Sequence, residues 1–221
     1  MKPNTLNSYI PNLKTTLAVL LLGAASVTLS VAEEATIRYD SQPNSSTCSM
    51  DGTSTMHDWT MTTAIISGYI EADANFPESA LSNPAAASPK VVANMPVRAF
   101  KSGKKTMDEK MQEHMQADKF GRIEYRLISL KPKSKPGATG PLEFDALGTL
   151  TIVGKTVTNT MPVTIEKKDG KLKVIGSTPL KMTDYGLKAP EISLLGLPAI
   201  SVGDDLKIKF EWALAPKKKA S

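Results

Sequence analysis

Few residues in this chain can carry acid–base, nucleophilic or metal chemistry: two histidines, His57 and His114, and a single cysteine, Cys48. His57-Asp58-Trp59 sets a base beside a carboxylate, but adjacent residues on a strand point to opposite faces and do not pair as base and orienting acid. His114 follows Lys110 at the preceding turn of a helical segment, and no second His or Cys one turn on completes a zinc-ligand spacing. Met107, Met111 and Met115 recur at steps of four, a spacing that predicts packing rather than a metal or cofactor box. The run 148–156, Gly-Thr-Leu-Thr-Ile-Val-Gly-Lys-Thr, resembles a phosphate-binding loop. Five residues separate its glycines, where that loop needs four, and Leu150 and Ile152 alternate with Thr149 and Thr151 as a strand does. These residues predict no catalytic group, no metal and no cofactor.

The chain ends and the overall charge narrow the field further. Lys2 and Lys14 precede an uncharged apolar run, 15–29, that closes on Ser30-Val31-Ala32, the pattern of a secretory signal peptide. A run this short falls below the roughly 20 residues a bilayer-spanning helix needs. Residues 1–32 are therefore expected to be removed, leaving 33–221 as one periplasmic or secreted domain with no membrane span, with retention of the segment as an anchor as the alternative. Losing two lysines and no acid lowers the formal charge from +5 to +3. That is weak for a nucleic-acid binder, and the aromatic residues are not interleaved with basic ones as a base-stacking platform requires. Lys217-Lys218-Lys219 reads as a solvated tail. One cysteine forms no internal disulfide, so Cys48 is expected to be a buried thiol, with pairing between two copies, a homodimer, as the alternative.

The elements that must position these residues are mostly strands. Leu206, Ile208, Phe210, Trp212 and Leu214 alternate with Lys207, Lys209, Glu211 and Ala213, a half-buried strand. Ile123, Tyr125 and Leu127 share one face, as do Val157, Asn159, Met161, Val163 and Ile165. Pro162, on the opposite face, cannot donate to a ladder and predicts an edge or a bulge. Asp169-Gly170 and Gly154-Lys155 suit hairpin turns. Residues 60–71 and 91–100 read as strands, and 77–89 and 132–141 as loops. The segment 106–118, with Asp108 and Glu109 in its first turn, predicts one amphipathic helix covering an end of the sheet. Short strands, hairpins and one helix point to an antiparallel barrel or sandwich.

Four segments, taken in order, resemble the YceI-like, polyisoprenoid-binding family. They are Gly52-Thr53-Ser54-Thr55-Met56-His57-Asp58-Trp59; the stretch 95–121 with Met107-Asp108-Glu109-Lys110-Met111, followed by Ile123-Glu124-Tyr125; the hairpin 147–156; and Met182-Thr183-Asp184-Tyr185-Gly186 with Val202-Gly203-Asp204-Asp205. The family's usual Pro before the Ile-x-aromatic strand is replaced by Gly121-Arg122, and the insert after Phe76 is atypical. The resemblance implies an all-β, eight-stranded, lipocalin-like antiparallel barrel whose lumen binds a long-chain isoprenoid or similar amphiphilic lipid. Phe120, Ile123, Tyr125, Leu127, Ile208, Phe210 and Trp212 are the expected lumen residues, with the polar tips of Tyr125 and Trp212 available to a head group. Two alternatives stand beside this: an interaction protein with a filled barrel, and an enzyme using His57.

Overall fold

The computed structural model describes residues 36–85, 88–192 and 199–217. The expected signal segment, and Lys218 and Lys219 of the basic tail, lie outside the described residues. The described elements in chain order are β1 (Thr36–Ser41), β2 (Thr47–Ser54), β3 (Trp59–Thr63), β4 (Ser67–Asp73), α1 (Glu78–Ser82), β5 (Lys90–Pro96), α2 (Lys105–His114), β6 (Arg122–Pro132), β7 (Leu142–Ile152), β8 (Lys155–Lys168), β9 (Lys171–Lys181), β10 (Glu191–Ile192) and β11 (Ile200–Pro216).

Strand β7 shows why these residues form a wall. Its even positions, from Leu142 through Ile152, are buried and its odd ones are exposed or half-buried, the period-two pattern of a sheet with one dry face. Strands β5 to β9 form an antiparallel meander, and β9 then pairs with β11. β11 is long enough to serve two neighbours on its other side, β2 along Val202–Glu211 and β1 at Leu214–Pro216. β1 and β2 thus lie end to end, with β4 and β3 end to end against them. Each end-to-end pair fills one place in the wall, and the β4–β5 pairing completes a closed eight-stranded antiparallel barrel. Closure leaves little open edge for another chain to pair with.

Asp169 and Gly170 have φ values of 51° and 72° and join Lys168 to Lys171 as the predicted hairpin turn. The other predicted turn moves by one residue: Ile152 pairs with Lys155, so Val153-Gly154 makes the bend. Pro162 stands immediately beyond the β8–β9 ladder, which runs from Val163 to Lys168. Its missing N–H thus coincides with the end of pairing on that side.

Among the described residues there are two short helices where the sequence predicts one. α1 lies within the expected loop 77–89, burying Ala80 and Leu81, and is too short to display a helical period. α2 ends at His114, short of the predicted 118, and Gln116 takes a positive φ just beyond. The expected strand 60–71 is split into β3 and β4. The expected strand 91–100 stops at Pro96 and turns into a 3-10 segment at Val97–Ala99. Tyr39, Leu142, Phe144, Leu172 and Leu214, all essentially inaccessible, pack the end of the barrel near the β8–β9 hairpin.

Candidate ligand-binding lumen

Above that packed floor the wall encloses a cavity of about 990 Å³, at the upper end of the roughly 300–1,000 Å³ typical of small-molecule sites. The barrel is therefore not filled by its own side chains. Ile123, Tyr125 and Leu127 of β6 and Ile208, Phe210 and Trp212 of β11 all line it. Ile123, Tyr125, Leu127, Ile208 and Phe210 point inward yet are only half-buried, because the space in front of them is cavity rather than packed protein. Phe120 is placed elsewhere: it is not among the lining side chains, and its ring sits against Gly154 of the β7–β8 turn. An irregularity in β6 between Leu127 and Ser129 shifts the inward set by one residue, so Leu130 continues the lining and Ile128 is turned out.

The feature sequence reasoning missed is the sulfur. Every methionine after Met1 lies in the described residues, and every one of them lines the cavity. The α2 stripe of Met107, Met111 and Met115 was legible as a packing face, and it forms part of the lumen roof. Met50 and Met61 face each other across β2 and β3, a pairing invisible until register is known. Thioether side chains are flexible and polarizable, suited to surfaces that must re-pack around more than one shape.

Charged groups are confined to the open end. Lys110 Nζ lies 3.0 Å from Glu113 Oε2 and Lys181 Nζ lies 2.6 Å from Asp205 Oδ1. The segments 182–186 and 202–205 meet there. The backbone N–H and hydroxyl of Thr183 donate to the Asp204 carboxylate at 2.9 and 2.7 Å, holding its pKa below the usual carboxylate range. This contact fixes the 3-10 turn Thr183–Tyr185 that carries the buried Tyr185 ring into the lining.

The two polar tips expected to face a ligand have different fates. Trp212 Nε1 donates to Ser41 Oγ at 2.8 Å, and Ser41 Oγ donates to the Gly68 carbonyl at 3.0 Å. Trp212 is thereby committed to stapling β11, β1 and β4 together. The Tyr125 hydroxyl is buried with no protein partner. Burial pushes the Tyr125 and Tyr185 hydroxyls and the Cys48 thiol up to about 12, with Asp184 adding to the effect at Tyr185. In all three cases the folded state holds its proton more tightly than the unfolded chain, whose groups titrate near 9 and 10. Their contribution to stability is complete below pH 9 and is lost as pH rises towards 12. Thermal unfolding followed from pH 8 to pH 12 is expected to show a midpoint falling steadily above pH 9, and Cys48→Ala together with Tyr125→Phe should blunt the fall.

The sequence features that invited a catalytic or phosphate-binding reading fall at turns between strands. His57 and Asp58 lie in the β2–β3 turn rather than on a strand. His57 Nδ1 lies 2.8 Å from the Asp58 backbone oxygen, not from its carboxylate. Ser54 Oγ accepts the His57 N–H and donates to the His57 carbonyl, and Trp59 Nε1 donates to the Thr53 carbonyl, so the motif ties a turn at the mouth. Residues 148–156 are the β7–β8 hairpin. Among the described residues no group of three or more His, Cys, Asp or Glu is placed to hold a metal ion. Cys48 is buried against the lumen. Among the described residues no helix is long and apolar enough to cross a membrane.

Comparison with known proteins agrees with this architecture. The profile of the YceI-like domain matches residues 39–214. Among solved structures, BcnA of Burkholderia cenocepacia superposes with a TM-score of 0.61 at 20% identity, covering 79% of this chain and 99% of its own. A polyisoprenoid binding domain from Saccharophagus degradans, described as implicated in plant cell wall breakdown, superposes with a TM-score of 0.60 at 12% identity, covering 82% of this chain and 99% of its own. At these identities the likeness is one of fold. No curated protein sequence matches the chain.

Proposed function

The chain belongs to the YceI-like domain family, and on that footing we propose that it is a non-catalytic carrier, acting in the periplasm or outside the cell, whose barrel holds a long-chain isoprenoid or a similar amphiphilic lipid. The observation that carries this reading is the open, apolar interior, which runs from Trp212 and Phe76 near the floor to Lys104 and His57 at the mouth. A barrel serving only as a scaffold for partners gains nothing from such a space, since unfilled volume weakens a core. For a ligand, each buried methylene contributes about 0.8 kcal/mol, offset in part by the loss of chain freedom on binding. The neighbour from Saccharophagus degradans, a polyisoprenoid binding domain, supports the same ligand class through shared fold.

Mature protein taken from a periplasmic preparation and extracted with organic solvent is expected to release a long apolar molecule visible by mass spectrometry. The emptied protein should then show a shift in tryptophan emission when titrated with a polyprenol, because Trp212 lies at the base of the lumen. An extract without lipid together with an unresponsive emission spectrum would sink the carrier reading.

A further inference from the structure

The apolar lumen contains one polar district. Tyr125 Oη, Tyr185 Oη, His114 Nε2 and both amide atoms of Asn159 are buried and have no partner within the protein. Buried polar atoms are rarely left so, and several in one place call for a specific explanation.

The register brings them together. Tyr125 lies on β6 beside Leu150 of β7, with Gly148 and Asn159 directly paired on β7 and β8. The hydroxyl end of the Tyr125 ring occupies the space a Cβ on Gly148 would fill. This sets that hydroxyl on the inner face next to Asn159, which is not itself among the lining side chains although Met161 and Val163 of the same period are. Tyr185 and Tyr125 pack in one cluster with Leu150, Ile152, Met111 and Met115. His114 closes the same end from α2. The charged side chains of the lining, Lys104, Lys110, Glu113, Lys181 and Glu191, belong to the elements around the mouth. The district offers hydroxyl donors and acceptors, an amide with both, and a ring nitrogen. It offers no fixed charge, because burial lowers the His114 pKa and raises those of the tyrosines.

We propose that Tyr125, Tyr185 and His114, which line the lumen, with Asn159 beside the Tyr125 hydroxyl, form an internal head-group site for an uncharged hydrogen-bonding group, a hydroxyl, carbonyl or amide, at the end of the apolar ligand. This rests on the carrier reading and narrows it. The apolar chain then fills the lumen below this district, past Ala146 towards Trp212, and an ionised phosphate is disfavoured because burying its charge here meets no counter-charge. The methionines packed in the same cluster are the flexible elements that yield to admit the group.

The test uses the delipidated mature protein with geranylgeraniol, the matching hydrocarbon lacking the hydroxyl, and geranylgeranyl monophosphate. The alcohol is expected to bind about three- to tenfold more tightly than the hydrocarbon, the span of one or two net hydrogen bonds, and the phosphate most weakly. Tyr125→Phe, which removes only an oxygen, and Asn159→Leu should each bring the alcohol-to-hydrocarbon ratio towards one. Equal binding of alcohol and hydrocarbon in the unaltered protein, a ratio that survives in both variants, or tightest binding of the phosphate would overturn the site. Failure of all three probes to bind would instead remove the carrier reading, and the head-group site with it.

Discussion

Gly68→Ala is expected to be the most damaging single methyl group that can be added to this barrel. Gly68 has φ of +135°, a region closed to L side chains at ordinary cost, and a Cβ there would overlap the backbone carbonyl oxygen of Val92 on the paired strand β5. Backbone, unlike the far end of a side chain, cannot swing aside. Strain of about 1–3 kcal/mol and a further 1–3 kcal/mol for overpacking together approach the lower end of the roughly 5–15 kcal/mol by which domains are stable. The position also accepts the Ser41 hydroxyl, itself the acceptor for Trp212, so displacing it loosens the seam where β11, β1 and β4 close the ring. Denaturant unfolding of the mature protein should show a loss of about 3–5 kcal/mol. Gly148→Ala is the useful comparison, since the added carbon meets the outer end of the Tyr125 ring, which borders the cavity and can turn into it, rather than backbone, and it should lose clearly less. Equal effects at the two glycines would mean that the seam is not held as described.

Much of the wall was legible because its strands are amphipathic. The alternation in 206–214 and 157–165 places the inward residues correctly, since a one-residue slip would turn every apolar side chain to solvent. Six of the seven residues expected in the lumen sit on such strands. Phe120 does not. It follows α2 where no period-two context fixes a face, and its ring finds the bare backbone of Gly154 instead. Tertiary pairing, not local pattern, decides three further features. β11 outgrows its neighbours and so takes two partners on one side, which splits the first two wall positions into β1 with β2 and β3 with β4. Trp212 loses its polar tip to Ser41, a residue far away in the chain. Val153 accepts a positive φ of 49°, unusual for a β-branched residue, because the β7–β8 register requires the bend there.

The lumen's emptiness was the least legible property, because an inward apolar residue reads the same whether it meets another side chain or open space. What distinguishes the two is the combined volume of all inward positions at one level of the barrel. At mid-height Ala93 and Ala146 are small, and Ala93 pairs with Gly68 and Ala146 with the thin, flexible Met161, so that these positions commit little side-chain volume. The floor carries the packing that stabilises the ring, and the levels above it keep their volume.

This division of labour predicts the outcome of filling the space. Ala146 lies on β7 between Leu130 of β6 and Met161 of β8, buried and facing the cavity. Ala146→Trp projects an indole across the lumen at that level. An aromatic side chain covers about 150 Å² or more, and at roughly 25 cal/mol per Å² the ligand surface it displaces is worth about 4 kcal/mol. Part of that loss is recovered if the ligand shifts towards the mouth, so binding of a polyprenol is expected to weaken by about 10- to 100-fold. Stability should hold or rise, because the indole fills a void instead of crowding a packed core. Thr158→Trp, on the outer face of β8 and exposed, is the control and should leave binding unchanged. Undiminished polyprenol binding in Ala146→Trp, with the variant fully folded, would show that the ligand does not occupy the barrel's middle.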